Sequence, residues 1–257
     1  MQFFSHEGFE LAFIDERPAS GSGEPVLLIH GFASNHRTNW VTPGWVKTLT
    51  DAGYRAIAFD NRGHGASSKS YDQADYYPDK MAGDAAALLL HLGIERSHVF
   101  GYSMGARISA FLALAEPQLI ASLILGGLGI GIVDGVGEWD EIADALVALD
   151  PAAISDDRGR MFRTFADQTK SDREALAACI ATSRELLSED DVSRIAQPTL
   201  IAVGTKDDIA GSAEALAALM PNAVAFPIEG RDHMLSVGDR TLKKRAIDFL
   251  KAHPISE

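Results

Sequence analysis

Cysteine is almost absent. Cys179 is the only one in 257 residues, so the chain cannot carry an internal disulfide framework. No Cys/His spacing suggests a zinc site, and no metal is expected. Positive charge is also in short supply: 23 Lys and Arg stand against 36 Asp and Glu, a net charge of −13. Such an excess repels phosphate backbones and anionic headgroups unless a local basic patch offsets it. The densest basic cluster, Lys243-Lys244-Arg245, falls in a predicted helix with acidic neighbours, so neither nucleic acid nor a membrane surface is expected as a partner. Long apolar runs are missing as well. The longest, residues 119–133, holds four glycines and is too short to span a bilayer. Residues 1–8 lack the basic head and apolar stretch of a signal peptide. A cytoplasmic location is the expectation.

Hydrophobic residues make up 46% of the chain, enough to bury a substantial core. The length admits one α/β domain or two small ones. Short apolar runs predict strands at 9–15, 26–30, 55–60, 98–102, 119–125, 199–204 and 223–228. Helical patterns lie between them at 45–52, 77–92, 104–116, 212–220 and 238–252. Unbroken apolar strands imply burial on both faces of a parallel sheet, and the alternation implies crossover helices. Between residues 134 and 194 the rhythm changes to helical pattern alone, at 138–149, 160–170 and 172–187. This stretch reads as a helical cap inserted in a single domain spanning 1–257; long crossover helices serving only packing are the plainer alternative. There are no internal repeats, low-complexity tracts or linkers.

Five residues carry the most chemical information: Gly101-Tyr102-Ser103-Met104-Gly105. They match G-x-S-x-G and lie between a predicted strand and a predicted helix, the context that motif requires. A turn this sharp lifts the serine above the sheet edge and leaves no room for side chains at either flank. A serine nucleophile needs a base, and the base needs an orienting carboxylate. The expected chain order is serine, acid, histidine. Asp207, just past the strand at 199–204, is the candidate acid. Asp208 is its neighbour and the alternative, since successive residues cannot both aim at one imidazole. His233, between the last strand and the last helix, is the candidate base. His6, His36 and His253 fall in polar, terminal or loop settings; His91 and His98 flank a turn with no evident partner, His64 lies in a glycine-rich loop and His30 ends a strand. Two backbone N–H groups must hold the developing oxyanion. Met104 offers one at the start of a helix, and Phe32 offers the other in His30-Gly31-Phe32.

Taken together, the chain resembles the α/β-hydrolase-fold serine hydrolases over essentially its whole length. The marks are His30-Gly31-Phe32, the segment Asp60-Asn61-Arg62-Gly63-His64-Gly65-Ala66-Ser67, the Gly101–Gly105 turn, Gly204-Thr205-Lys206-Asp207 (which resembles the family's G-x-x-D acid position), and the late His233. The resemblance implies an α/β fold with a mostly parallel central sheet, helices on both faces and a helical cap. It implies a cofactor-free serine hydrolase acting on a small carboxylic ester. The same triad serves C–C bond hydrolases, enol-lactonases, thioesterases and perhydrolases, and the scaffold can also act as a slowly hydrolysing small-molecule receptor. Some members place the acid one strand earlier. Here that loop reads Gly126-Gly127-Leu128-Gly129, with no carboxylate, which favours Asp207. Haloalkane dehalogenase relatives carry aspartate at the turn, so Ser103 argues against them. The segment 60–67 is expected to be a structural loop.

Gly127-Leu128-Gly129-Ile130-Gly131 lacks the third glycine of a dinucleotide fingerprint, and residues 133–137 make a poor helix start. Phe162, Phe165, Leu186 and Leu187 can either line a substrate pocket or pack cap helices on one another. Trp40 is a candidate for the pocket wall. Nothing indicates an oligomeric state. Residues 134–194 hold 15 acidic and 7 basic side chains, a net −8. A cap so charged would repel free carboxylates unless some of its cations point inward, so neutral, largely apolar esters are expected.

Overall fold

Strands that are apolar at every position need cover on both faces, and the sheet has it. The computed structural model describes residues 1–135, 137 and 139–255. Its strands are β1 (Gln2–His6), β2 (Phe9–Glu16), β3 (Pro25–Ile29), β4 (Arg55–Phe59), β5 (Ser97–Tyr102), β6 (Ile120–Gly126), β7 (Thr199–Gly204) and β8 (Ala223–Ile228). They form one sheet in the order β1-β2-β4-β3-β5-β6-β7-β8. β1 and β2 pair antiparallel, β2 runs antiparallel to β4, and every later pair is parallel. The sheet, with its helices, is the α/β architecture expected. β1 was not anticipated, because at this edge only Phe4 turns inward and no apolar run announces it.

Successive side chains of a strand point to opposite faces. Leu27, Ile29, Ile57 and Phe59 therefore join one core, while Val26, Leu28, Ala56 and Ala58 join the other. The helices, in chain order, begin with α1 (Trp45–Asp51), α2 (Pro78–His91) and α3 (Met104–Ala115). Between β6 and β7 come α4 (Gly131–Asp134), α5 (Asp140–Val147), α6 (Asp157–Gln168), α7 (Arg173–Thr182) and α8 (Glu189–Ser193). The chain closes with α9 (Ala213–Leu219), α10 (His233–Ser236) and α11 (Arg240–Ala252). Side chains of α2, α3 and α9 pack in the first core and those of α1 and α11 in the second. α11 buries Leu242, Ala246, Phe249 and Leu250, one face of a helix. It starts two residues later than its pattern suggests because Asp239 caps it, accepting from the Thr241 N–H at 2.7 Å.

Among the described residues between β6 and β7 there is no strand. The expected helix start at Glu138, and Val136 within 133–137, lie outside the described residues. Much of this segment's acidity sits at helix N-termini. Asp140 and Glu141 occupy the first turn of α5, Asp156 and Asp172 cap α6 and α7, and Ser188 with Asp191 forms a capping box on α8. Carboxylates there satisfy free N–H groups and oppose the positive end of the helix dipole. The segment touches the carboxyl edge of the sheet: the Thr169 hydroxyl donates to the Ala33 carbonyl at 3.0 Å, and Phe162 packs edge-on against Phe32.

The loop after β4 is held by buried hydrogen bonds and an ion pair. Asp60 accepts from the backbone N–H groups of Ala66 (2.8 Å) and His36 (2.7 Å). Arg62 forms a bidentate, fully buried pair with Asp84, both bonds 2.7 Å.

Candidate active site

Between β5 and α3 the chain reverses within one residue. Ser103 takes φ 53°, ψ −112°, a conformation that a side-chain-bearing residue adopts only under constraint. The constraint is close packing. A Cβ on Gly101 would stand 2.1 Å from the Gly105 carbonyl oxygen, and one on Gly105 would stand 2.0 Å from that of Ile29. The two glycines thus let β3, β5 and α3 converge beneath the serine.

Two strands over, the loop after β7 presents Asp207, whose carboxylate is fully buried. Oδ1 accepts from the N–H groups of Ile209 (2.9 Å) and Ala210 (3.0 Å), leaving Oδ2 to meet His233 Nδ1 at 2.8 Å. Since a carboxylate only accepts, Nδ1 carries the proton. Nε2 is then a bare lone pair, 2.9 Å from Ser103 Oγ. Asp208 is exposed, and it is Asp207 that meets the imidazole. His233 opens α10, which Asp232 caps through the Leu235 N–H at 2.8 Å. Its carbonyl accepts from the buried Tyr102 hydroxyl at 2.5 Å. Burial, then the charge of Asp207, pushes that phenol well above its ordinary value, so it remains a donor.

The remaining histidines bind elsewhere. His6 and His36 are not in solvent: they pair with Asp84 (2.8 Å) and Asp60 (2.7 Å). His30 donates from Nδ1 to the Gly31 carbonyl (2.8 Å) and accepts at Nε2 from the Asn61 N–H (3.0 Å). Burial pushes His30 down to about 4 and His64 down to about 3, so both rings are neutral at pH 7. Burial likewise pushes the Cys179 thiol up to about 12, which leaves it inert.

Phe32 lines the same cavity as Ser103, and Met104 follows Ser103 in the chain. Met104 is the first residue of α3, where helix geometry leaves the N–H without an intrahelical acceptor. The Phe32 N–H has no backbone acceptor among the described residues. Gly31 packs so tightly on the turn that a Cβ there would come 3.1 Å from the Tyr102 carbonyl oxygen. Its N–H donates to Asn39 Oδ1 at 3.1 Å.

A cavity of about 270 Å³ opens on Ser103 and His233, walled mainly by Phe32, Phe162, Phe165, Leu235 and Val237. Phe162 does both things its sequence position allowed: it lines the cavity and packs against Trp139 within the helical segment, with ring centroids 5.8 Å apart. Leu187 is buried in the core and Leu186 is exposed; neither lines the cavity. Trp40 is a correction. It is wholly buried between the sheet and α1, 4.8 Å from Phe100 by ring centroids, and does not reach the cavity. Residues 37–41 form a single helical turn in which neighbours point about 100° apart, so Asn39 takes the wall position instead. Asn39 Nδ2 is buried there with no partner among the described residues. Sequence reasoning missed Asn39 because nothing distinguishes it from any other loop asparagine.

Among the described residues of 134–194, no acidic side chain lines this cavity. Among the described residues no group of three His, Cys, Asp or Glu could hold a metal ion, and no helix is long and apolar enough to cross a membrane.

Known proteins place this geometry in a family. BpoC of Mycobacterium tuberculosis is 35% identical over 167 residues, 63% of this chain and 61% of that protein. A non-heme chloroperoxidase of Streptomyces lividans is 28% identical over 276 residues, 96% of this chain and 98% of the relative. Among solved structures, a hydrolase from Pseudomonas aeruginosa superposes with TM-score 0.79 at 25% identity, covering 97% of each chain. Residues 24–165 match the family model of the alpha/beta hydrolase fold, and the chain belongs to that family.

Proposed function

We propose that the protein is a serine hydrolase that cleaves a small carboxylic ester through an acyl-enzyme. One observation carries the reading: an unbroken Asp207–His233–Ser103 chain of 2.8 and 2.9 Å contacts, opening on an apolar cavity. Ser103 Oγ attacks the ester carbonyl while His233 Nε2 takes its proton. The Phe32 and Met104 N–H groups hold the oxyanion, and the N-terminus of α3 adds its positive dipole. His233 then returns the proton to the departing alkoxide, leaving an acyl group on Ser103. Water, activated by the same imidazole, releases the acid and restores the serine. Asp207 holds the ring in the required tautomer and stabilises it when charged. The helical segment between β6 and β7 acts as the cap, its α6 supplying Phe162 and Phe165 to the cavity wall.

A panel of p-nitrophenyl esters of graded acyl length, followed over many turnovers, tests this. Sustained release on at least one ester is expected. A single slow event per chain would instead favour a receptor on this scaffold. The name of the Streptomyces lividans relative supports a second reading, in which hydrogen peroxide replaces water at the acyl-enzyme and yields a peracid. Peracid formation in added peroxide, measured against hydrolysis, separates the two.

A further inference from the structure

A second, narrower cleft of about 20 Å³ also opens on Ser103 and Met104, but His233 is not among its walls. Arg107 and Arg184 line it, and among the described residues no carboxylate does. The Arg107 guanidinium is engaged, donating to the Glu185 carbonyl at 2.6 Å and the Gly131 carbonyl at 3.3 Å. Arg184 lies 3.3 Å over the Trp139 ring and has no ion pair or hydrogen-bond acceptor among the described residues. Arg158 approaches the same ring at 5.6 Å. Burial, with Arg107 and Arg158 nearby, pushes the Arg184 guanidinium down to about 8. A guanidinium keeps its proton in proteins, so Arg184 remains a cation at the cleft. A donor at the cleft, Trp139 Nε1, is also buried without a partner among the described residues. A half-buried cation and an unpaired buried donor at one place favour something negative beside them.

We propose that this cleft receives a carboxylate carried on the acyl half of the substrate, with Arg184 as its counter-ion. The assignment rests on the ester-hydrolase reading above and names its substrate class. His233 must protonate the leaving alcohol, and it lines only the larger cavity. The apolar alcohol therefore occupies that cavity, and the acyl chain turns toward the cleft. At about 20 Å³ the cleft has no room for an extended chain, so the acyl chain is short and ends at the charge. The substrates are half-esters of short dicarboxylic acids with an apolar alcohol. With one water they give the dicarboxylic acid and the alcohol; the second carboxylate forms and breaks no bonds. The earlier expectation of neutral esters is thereby reversed, because its premise fails once Arg184 points inward.

The test compares benzyl hydrogen succinate with benzyl succinamate, in which an uncharged amide replaces the carboxylate. Turnover is measured with the wild-type protein, and binding is measured by calorimetry on Ser103→Ala. A charge-assisted pair predicts a preference of tenfold or more for the half-ester in both kcat/KM and affinity. Arg184→Gln should bring the ratio close to one, while Arg184→Lys keeps part of it, which separates lost charge from lost folding. Equal treatment of the two ligands by the wild-type protein overturns the proposal, whatever the variants do. Selective binding of the half-ester without cleavage of any ester would uphold the anion cleft and refute the hydrolase reading. Cleavage of both esters with no charge preference would do the reverse.

Discussion

Replacing Gly105 by alanine adds one carbon at the most crowded point of the site. The new Cβ would lie 2.0 Å from the Ile29 carbonyl oxygen, 2.5 Å from its carbon and 2.7 Å from the His30 carbonyl oxygen. These are backbone atoms in the middle of the sheet, and no side-chain rotation can relieve the contact. Real Cβ atoms stay at least 3.0 Å away, so about 1 Å of separation must come from moving α3 off β3. Overpacking of this kind costs up to about 3 kcal/mol, which lowers Tm by roughly 6–12 °C at about 2–4 °C per kcal/mol. The same shift carries Ser103 with it. Oγ sits 2.9 Å from His233 Nε2, and displacement by about 1 Å breaks that hydrogen bond, at about a hundredfold in rate. Thermal unfolding followed by fluorescence gives the first quantity, and kcat/KM on p-nitrophenyl butyrate at a temperature well below Tm gives the second. A Gly105→Ala protein with wild-type Tm and wild-type turnover would refute the packing argument for the turn.

Other perturbations have equally definite outcomes. Asp207→Asn keeps the shape but lets the ring choose the wrong tautomer; kcat should fall by ~10²–10⁴, and a fall below twofold would remove Asp207 from the mechanism. Asp84→Ala strands the buried Arg62 with only the more distant Glu7 carboxylate at 3.3 Å, so a loss of ~3 kcal/mol is expected in urea unfolding, and a loss under ~1 kcal/mol contradicts it. Acid should destabilise the fold through His30 and His64. The unfolded chain protonates both rings as pH drops below the ordinary 6.5, whereas the native rings, pushed down to about 4 and about 3 by burial, stay neutral. Protons thus favour the unfolded state across that window, and at pH 5 each ring costs about 2 kcal/mol relative to pH 7. A urea midpoint that does not move between pH 7 and pH 5 would show that the rings are not held neutral.

The parallel core of the sheet was legible because both of its faces are buried, which leaves runs such as Val26-Leu27-Leu28-Ile29 with no polar position. β1 was not, since an edge strand with one inward side chain reads like any polar terminus. The serine turn, Asp207 and His233 were legible because strain, close approach and chain order restrict which residues can stand there. The cavity wall was not. Whether Asn39 or Trp40 faces the substrate depends on the phase of one helical turn, and sequence carries no signal of that phase. Net charge carries no positional signal either. The acidic excess of residues 134–194 was real, but much of it is spent on capping helices, and the cationic Arg184 takes the inward place.

The central claim is that Ser103 forms the covalent bond. Its most direct measurement is steady-state turnover of p-nitrophenyl butyrate by Ser103→Ala, with folding verified by its unfolding transition. A loss of ~10³-fold or more is predicted, since only binding and oxyanion stabilisation remain. Undiminished turnover by the folded variant would contradict the account.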